Sequence, residues 1–560
     1  MISLGISYSK AHDSSACIAR DGKLLFAVAE ERLSRVKHDA RFPRLAVKAC
    51  LDFAGAGARD LDHICFGYQR PLKGFMHDLK CLASGQQPMS GLNLLITTQH
   101  FASMWHQDGG YHHFTAAFGP TKVRPRFVDH HLAHAISAYA FSGLEQAAVL
   151  VVDGRGAWEA TSIWHGHDGR LDPVLTIPWP NSLGLFYAAF TEYLGFQPNS
   201  DEWKVMGLAP YGEPGADLHQ FIDLHGDRYR VNARLLLGNG NGSAMAALAS
   251  RMGGPARKPE SEIDGRHKNI AYGVQELCEQ AMLALVREAV ARTGCRDLCL
   301  AGGVALNSKA NGKILSSGAV DRLFVQPAAA DDGVALGAAL APYLEGGGRL
   351  PLQAMRQVYL GPEFDNSDIE KALSTYKLRY VKLDNVASTA ADLLAAGRIL
   401  GWFQGRMEFG PRALGSRSIL ADPRDPEMNA KVNNAVKFRE WWRPFAPSML
   451  AEAAAEYLEA AVDSPFMIVT SQVKPEKRNV IPAVTHVDGS ARPQTVVEEQ
   501  NPLYWRTLKA FGERTGVPVL MNTSFNLRGE PIVNTPTDAL RTFFSSGMDA
   551  LVIGSYLVEK

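Results

Sequence analysis

The sequence has no excess of charge of either sign: 58 Lys and Arg stand against 58 Asp and Glu over 560 residues. Without a basic field, nucleic acid is not expected as the main partner. No apolar run is long enough to cross a membrane, and the opening Met1-Ile2-Ser3-Leu4-Gly5-Ile6-Ser7 has no basic stretch. Neither a signal peptide nor a membrane partner is therefore expected, and the expected compartment is the cytoplasm. Cysteine is sparse and unpatterned. Cys17, Cys50, Cys65, Cys81, Cys278, Cys295 and Cys299 form no C-x-x-C pair, and an odd number cannot complete a disulfide framework. They read as small core residues. What is present is ordinary for a soluble globular chain, with 46% hydrophobic and 21% charged residues. The length exceeds what one core organises, so two to four domains are expected.

The chain opens on a short apolar run, residues 2–6, then two strand-like runs over residues 14–29 joined by Arg20-Asp21-Gly22-Lys23, a hairpin signal. A helix around Leu45 to Phe53 and a strand from Leu61 to Tyr68 follow, and residues 71–120 read as an insertion. The opening pattern recurs at residues 147–171, where Thr161-Ser162 matches Ser14-Ser15 and Asp168-Gly169-Arg170-Leu171 matches Asp21-Gly22-Lys23-Leu24. A duplicated βββαβα lobe is the plan of the actin, sugar-kinase and Hsp70 class, which holds a nucleotide between its lobes. Further on, Lys204 to Gly212 reads as a loop, residues 213–265 as irregular, and residues 270–292 as an amphipathic helix. Leu298 to Leu300 and Leu323 to Val325 read as strands, and Val334 to Ala341 as a helix rich in small residues.

The chemistry-bearing stretch of the first half is Asp129-His130-His131-Leu132-Ala133-His134, followed by Asp153. On a helix, His130 and His134 share a face, and His131 with His134 could also converge. A carboxylate on the next strand end would complete a site for a metal with imidazole and oxygen ligands. The Glu of H-E-x-x-H is absent, which argues against a zinc peptidase. A buried helix whose histidines bond to backbone stays open on this stretch alone. Gly154-Arg155-Gly156 and Gly302-Gly303 are turns that suit close approach of an anion. Asp331 and Asp332 stand at a strand end, as helix N-cap or facing the same cleft as Asp153.

In the second half, two runs dominate: Trp402 to Ser418 and Lys437 to Ser448. Between them they place Arg406, Arg412, Arg417, Arg439, Arg443 and Lys437 among aromatics and prolines. Arginine clusters beside glycines suit phosphate or carboxylate binding, since the guanidinium presents paired donors in a fixed plane. Arg492-Pro493-Gln494-Thr495 and Met521 to Pro531 are further polar groups.

Together these motifs resemble the ATP-dependent O-carbamoyltransferases of antibiotic and nodulation-factor biosynthesis. The marks are His12-Asp13-Ser14-Ser15-Ala16, Glu30-Glu31-Arg32, His130 to Tyr139, Asp153 to Gly156, Ala301 to Asn307, Asp331-Asp332-Gly333, Gly410 to Ser418, Arg439 to Ser448 and Asn522 to Pro531. The resemblance implies an α/β chain with a duplicated ASKHA-type domain over residues 1–345, a linker over 346–362 and a YrdC-like α/β domain over 363–560. It implies Fe²⁺ or another divalent metal on His130, His134, Asp153 and Asp331. It implies ATP and carbamoyl phosphate as co-substrates, with Mg²⁺, at Gly303, Asn307, Arg412, Lys437, Arg443, Arg492 and Asn522. Lys437 and Arg443 would act in catalysis. His12 would be the base or orienting group for a small-molecule hydroxyl acceptor, with Lys37 and Asp153 also on the acceptor side. A monomer or homodimer is expected. A sugar kinase or a threonylcarbamoyl-type tRNA-modifying transferase are the other functions that this fold would serve.

Overall fold

The computed structural model describes residues 1–9, 12–68, 71–83, 109–226, 228–237, 244–460 and 463–560. The centre of the expected insertion lies outside them. The chain divides into two compact units: residues 1–26 with 40–355, and residues 27–39 with 356–560.

The first unit contains two five-stranded sheets of the same design. One holds β1 (Ile2–Ser7), β2 (Ser15–Arg20), β3 (Lys23–Ala29), β4 (His63–Phe66) and β5 (Arg126–Phe127) in the order β3-β2-β1-β4-β5. The other holds β6 (Gln146–Val152), β7 (Glu159–His167), β8 (Arg170–Pro178), β11 (Asp297–Ala301) and β12 (Arg322–Val325) in the order β12-β11-β6-β7-β8. In each, the first strand runs antiparallel to the second and parallel to the fourth, which is parallel to the fifth. The hairpin turns also correspond: Asp21-Gly22 and Asp168-Gly169 all have positive φ, the geometry a two-residue hairpin needs to match strand twist. The repeat suspected from thin sequence identity is thus a repeat of topology.

The helix Val334–Leu340 packs against both β1 and the helix His130–Tyr139. Its small residues are what permit this. A Cβ on Gly337 would sit 1.8 Å from the Ala133 carbonyl oxygen. The long helix expected over 270–292 spans Gly265–Thr293, opened by an Asp264 cap that accepts from the His267 amide.

Two expectations are corrected. Residues 204–211 are not a loop: Glu202–Leu208 is helical and Ala209–Tyr211 continues as a 3₁₀ turn, with Val205, Gly207 and Leu208 buried, so packing overrides the glycine signal. Residues 213–265 are not wholly irregular. They contain the hairpin β9 (Ile222–His225) and β10 (Arg228–Val231) and short helices Ala233–Leu237 and Ala244–Arg251, too short to show a period. All seven cysteines are free thiols and six are buried, as read from their scatter.

The second unit is built on an eight-stranded mixed sheet, β13 (Val381–Lys382), β14 (Leu400–Phe403), β15 (Arg417–Ala421), β16 (Ala446–Leu450), β19 (Gln494–Val496), β20 (Val519–Ser524), β21 (Ala550–Ile553) and β22 (Tyr556–Glu559), ordered β13-β22-β21-β14-β15-β20-β16-β19. A small pair, β17 (Ser471–Gln472) and β18 (Ser490–Ala491), lies apart from it. Successive residues feed opposite faces. Phe403, Ile419, Met521 and Leu551 join one core, and Trp402, Leu420, Leu520 and Val552 the other.

Candidate functional site

Each unit carries, among the described residues, a cluster of side chains that its own fold leaves chemically incomplete. In the first, His130 and His134 project from one face of the helix His130–Tyr139. Asp153 follows the last residue of β6, and Asp331 opens the turn before the helix Val334–Leu340 without capping it. Ligand atoms of the four residues lie within 4.8 Å of one another. His130 Nε2 is 3.2 Å from Asp153 Oδ2 and 3.5 Å from Asp331 Oδ1, and His134 Nε2 is 3.8 and 3.9 Å from the same two atoms. Three of the four are buried, and Asp331 is at the rim.

The donors fit a divalent metal. His130 Nδ1 lies 3.1 Å from the Gly67 carbonyl, which can only accept, so that nitrogen carries the proton and Nε2 turns toward the carboxylates. Neither ring nitrogen of His134 has a hydrogen-bond partner among the described residues, although the ring is fully buried. An unpaired buried polar atom is costly, and a metal would complete it. Burial pushes the His134 imidazole down to about 4, with the field of His130 adding to the effect. A neutral imidazole is the form that binds metal. Burial opposes the charge on Asp153, but His130 and His134 outweigh it and hold the carboxyl well below its usual range. Its Oδ1 accepts the Gly303 N–H at 3.1 Å. Two imidazoles and two carboxylates suit iron, manganese or zinc alike. His131 belongs to another contact: its Nδ1 is 2.8 Å from Ser162 Oγ.

Other residues expected here have plain positions. Asn307 caps the helix Ser308–Ser316 and exchanges amide hydrogen bonds of 3.0 Å with Gln275. His12 lies between Asp13 Oδ2, 2.8 Å from Nδ1, and the Asn199 carbonyl, 2.5 Å from Nε2. Burial opposes protonation, yet Asp13 and then Asp331 raise the imidazole to about 9, so at neutral pH both nitrogens are donors. Lys37 is exposed and belongs to the segment that folds with the second unit.

In the second unit the incomplete cluster is positive. Lys437 ends a five-residue π-helical turn, Asn433–Lys437, a geometry frequent at functional sites. Its Nζ donates to the Ser524 carbonyl and to Asn526 Oδ1 at 2.8 Å, with Ser524 Oγ at 3.2 Å and the Asn526 carbonyl at 3.1 Å. Burial and the nearby Arg439 and Arg443 depress its pKa, while these oxygens hold the ammonium form in place. Arg492 is pushed well below its ordinary value by burial and then by Arg412, Arg439 and Arg443. Arg412 is lowered to about 10 by burial, and its Nε is buried without a hydrogen-bond partner among the described residues. Arg439 donates to Asn433 Oδ1 at 2.9 Å and lies 3.9 Å over the Phe445 ring. Glu440 meets Arg443 at 3.2 Å. Cations gathered with so little negative charge are the condition under which an anion binds strongly.

Asn522 is fully buried. Its amide donates to Ser448 Oγ, Gln494 Oε1 and the Ala413 carbonyl, which ties β20 to the loop after Arg412. Arg417, by contrast, spends its guanidinium on the Gln404 and Gly405 carbonyls and lies 3.7 Å over Phe403. Sequence reasoning gave no role to Glu408, Ser524 or Asn526, although all three stand in the runs that drew attention. Glu408 is the most telling. It is buried, and one oxygen accepts the amides of Leu414 at 2.8 Å, Ser416 at 2.8 Å and Arg417 at 3.2 Å, so a single carboxylate shapes the Gly410–Arg417 loop. Its spacing from those amides carries no periodic signal.

A two-imidazole, two-carboxylate donor set on a duplicated α/β fold and a buried cation cluster are what the two units offer to a substrate. The chain belongs to the carbamoyltransferase family: residues 3–340 match the family model described as Carbamoyltransferase N-terminus, and residues 391–560 match Carbamoyltransferase C-terminus. It is a transferase. Nodulation protein NolNO of Sinorhizobium fredii is 39% identical over 565 residues, covering 100% of this chain and 80% of that protein. Nodulation protein NolO of Bradyrhizobium diazoefficiens is 43% identical over 445 residues, covering 77% of this chain and 79% of its own. The uncharacterized protein sll1178 of Synechocystis is 41% identical, covering 100% and 96%. Among solved structures, component A of the Acidaminococcus fermentans (R)-2-hydroxyglutaryl-CoA dehydratase covers 61% of this chain and 97% of its own at 12% identity, with a TM-score of 0.33.

Proposed function

We propose that the protein is an ATP-dependent O-carbamoyltransferase that works through carbamoyladenylate. The observation that carries this reading is the chain's possession of two incomplete clusters of opposite character, one a metal-type donor set and one cationic, in a member of the carbamoyltransferase family. The second unit, read as YrdC-like, would bind carbamoyl phosphate and ATP at Arg412, Lys437, Arg443, Arg492 and Asn522, with Mg²⁺ on the triphosphate. Water attacks the phosphorus of carbamoyl phosphate and the P–O bond breaks, leaving phosphate and carbamate. A carbamate oxygen then attacks the α-phosphorus of ATP, and pyrophosphate leaves. The cations neutralise the crowded oxygens, which is positioning and electrostatic work.

The first unit, read as ASKHA-type, would carry out transfer, with Gly303 and Asn307 on the nucleotide side. The acceptor hydroxyl oxygen attacks the carbamoyl carbon, the bond from that carbon to the AMP oxygen breaks, AMP departs with the electron pair, and the hydroxyl proton passes to the departing phosphate. The metal, Fe²⁺ or another divalent ion on His130, His134, Asp153 and Asp331, would supply Lewis-acid polarisation. His12, held as a double donor, suits stabilising negative charge and orienting the acceptor better than taking its proton. Asp153 would complete the acceptor side in the first unit. The motif resemblance includes the tobramycin carbamoyltransferase, and we read a natural-product or sugar hydroxyl as the acceptor class. A cytoplasmic monomer or homodimer accords with this reading.

The test is pyrophosphate release from ATP, dependent on carbamoyl phosphate and measured without acceptor. A kinase or a non-catalytic binder gives none, and its absence would sink the proposal.

A further inference from the structure

The Glu30-Glu31-Arg32 motif has no place in the chemistry described above, yet it is nearly inaccessible to solvent: Glu30 is 4% and Arg32 8% exposed. It stands in residues 27–39, which fold as part of the second unit although they come from the start of the chain. The segment forms one helical turn, Glu30–Ser34, ended by Arg35 in the left-handed conformation with φ 61°. A bulky residue adopts that backbone only where its surroundings compel it, and such residues gather at functional sites.

Its contacts go to the supports of the cation cluster. Arg32 Nη2 donates to the Gly410 carbonyl at 3.0 Å, two residues before Arg412, while Nη1 is held by Glu31 at 2.6 Å. The other Glu31 oxygen accepts the His38 amide and closes the segment on itself. Arg35 donates to the carbonyls of Pro531 at 2.8 Å and Ile532 at 2.5 Å, and lies 3.4 Å from Asp538. The preceding residue, Glu530, offers its carbonyl to Asn526 Nδ2 at 2.6 Å, and Asn526 in turn receives the Lys437 ammonium. At the start of the segment the Ala27 amide donates to Leu360, next to Tyr359, which pairs with Glu408. Arg32 thus reaches the loop that bears Arg412, and Arg35 the loop that holds Lys437. Both direct their donors to loop carbonyls and to the carboxylates of Glu31 and Asp538, so they set the position of those loops and add no ligand contact.

We propose that residues 27–39 are a positioning clamp for the anion site of the second unit, with Arg32 fixing the Arg412 loop and Arg35 the Lys437 loop. The identity of the anion as a phosphate group rests on the function proposed above. The clamp makes the cation cluster dependent on a stretch of chain that precedes the first unit's remaining fold.

The test uses the full-length protein with inorganic phosphate as probe, titrated calorimetrically, for Arg32→Gln, Arg35→Gln and Arg32→Lys. Both glutamine variants are expected to raise the phosphate dissociation constant at least about tenfold, the scale of one displaced charged donor. The KM for carbamoyl phosphate in pyrophosphate release should rise in parallel, with kcat at saturation close to wild type. Arg32→Lys keeps one donor for Gly410 and should retain most of the affinity. Titration stoichiometry reports the folded fraction and the dissociation constant reports the site, so a partly unfolded variant still gives an answer. Wild-type phosphate affinity in both glutamine variants overturns the clamp, as does a wild-type protein that binds no phosphate. Absence of pyrophosphate release in wild type overturns the carbamoyladenylate reading instead, and the phosphate titrations still decide the clamp.

Discussion

At the scale of single residues, each cluster contains a buried group without a hydrogen-bond partner among the described residues, the His134 ring in one and Arg412 Nε in the other. Replacing His130 and His134 together by alanine removes two of the four proposed metal ligands. Removing a mere outer partner of a ligand typically costs 10–100-fold in metal affinity, so loss of acceptor carbamoylation beyond about 100-fold is expected. Pyrophosphate release should persist near the wild-type rate, and its loss in a folded variant would disprove the division of labour between the units. His12 allows a check by pH. Its folded pKa of about 9 lies above the ordinary 6.5, so the Asp13 contact stabilises the fold fully below 6.5 and the effect disappears as pH rises through 9. The stability difference between wild type and His12→Asn, followed by denaturant titration across that range, should shrink with rising pH. Glu408→Ala leaves three buried amides unpaired. A loss of about 3 kcal/mol or more in the unfolding transition of the second unit is expected by calorimetry.

Among elements, the helix Val334–Leu340 admits little change. It lies against the helix of the metal-type histidines at Gly337, where a Cβ would stand 1.8 Å from the Ala133 carbonyl. Gly337→Ala should cost about 3 kcal/mol, at the upper end of overpacking penalties. Because Ala133 precedes His134, metal affinity measured by equilibrium dialysis should fall as well; unchanged affinity would show that the backbone yields elsewhere. The hairpin turns were legible because turn chemistry is local, and the long helix was legible from its apolar period, while its Asp264 cap was not. The helix Glu202–Leu208 was misread as a loop because its glycine argues one way and burial of Val205 and Leu208 the other. Likewise, the elements between residues 222 and 251 are four to eight residues long, below the length at which periodicity speaks.

For the whole molecule, a divalent metal that binds the folded first unit alone would raise stability by mass action, about 2.7 kcal/mol at a hundred times the dissociation constant. The melting temperature should therefore rise with added Fe²⁺ or Mn²⁺ in wild type and stay flat in the His130→Ala, His134→Ala variant. A rise of equal size in both would place the metal elsewhere. Family membership and the arginine-rich runs were readable from the chain, and so was the shared face of His130 and His134, since the helical period fixes which residues four apart meet. What the sequence alone could not settle was convergence over distance. Asp153 and Asp331 reach those histidines only because parallel strands of one sheet and the packed helix Val334–Leu340 bring their ends together. Residues 27–39 join the second unit through carbonyls that any residue type could offer, and Glu408 gathers amides on the same terms. Backbone groups are the same at every position, so contacts made to them leave no mark in the sequence, and only the tertiary fold decides them.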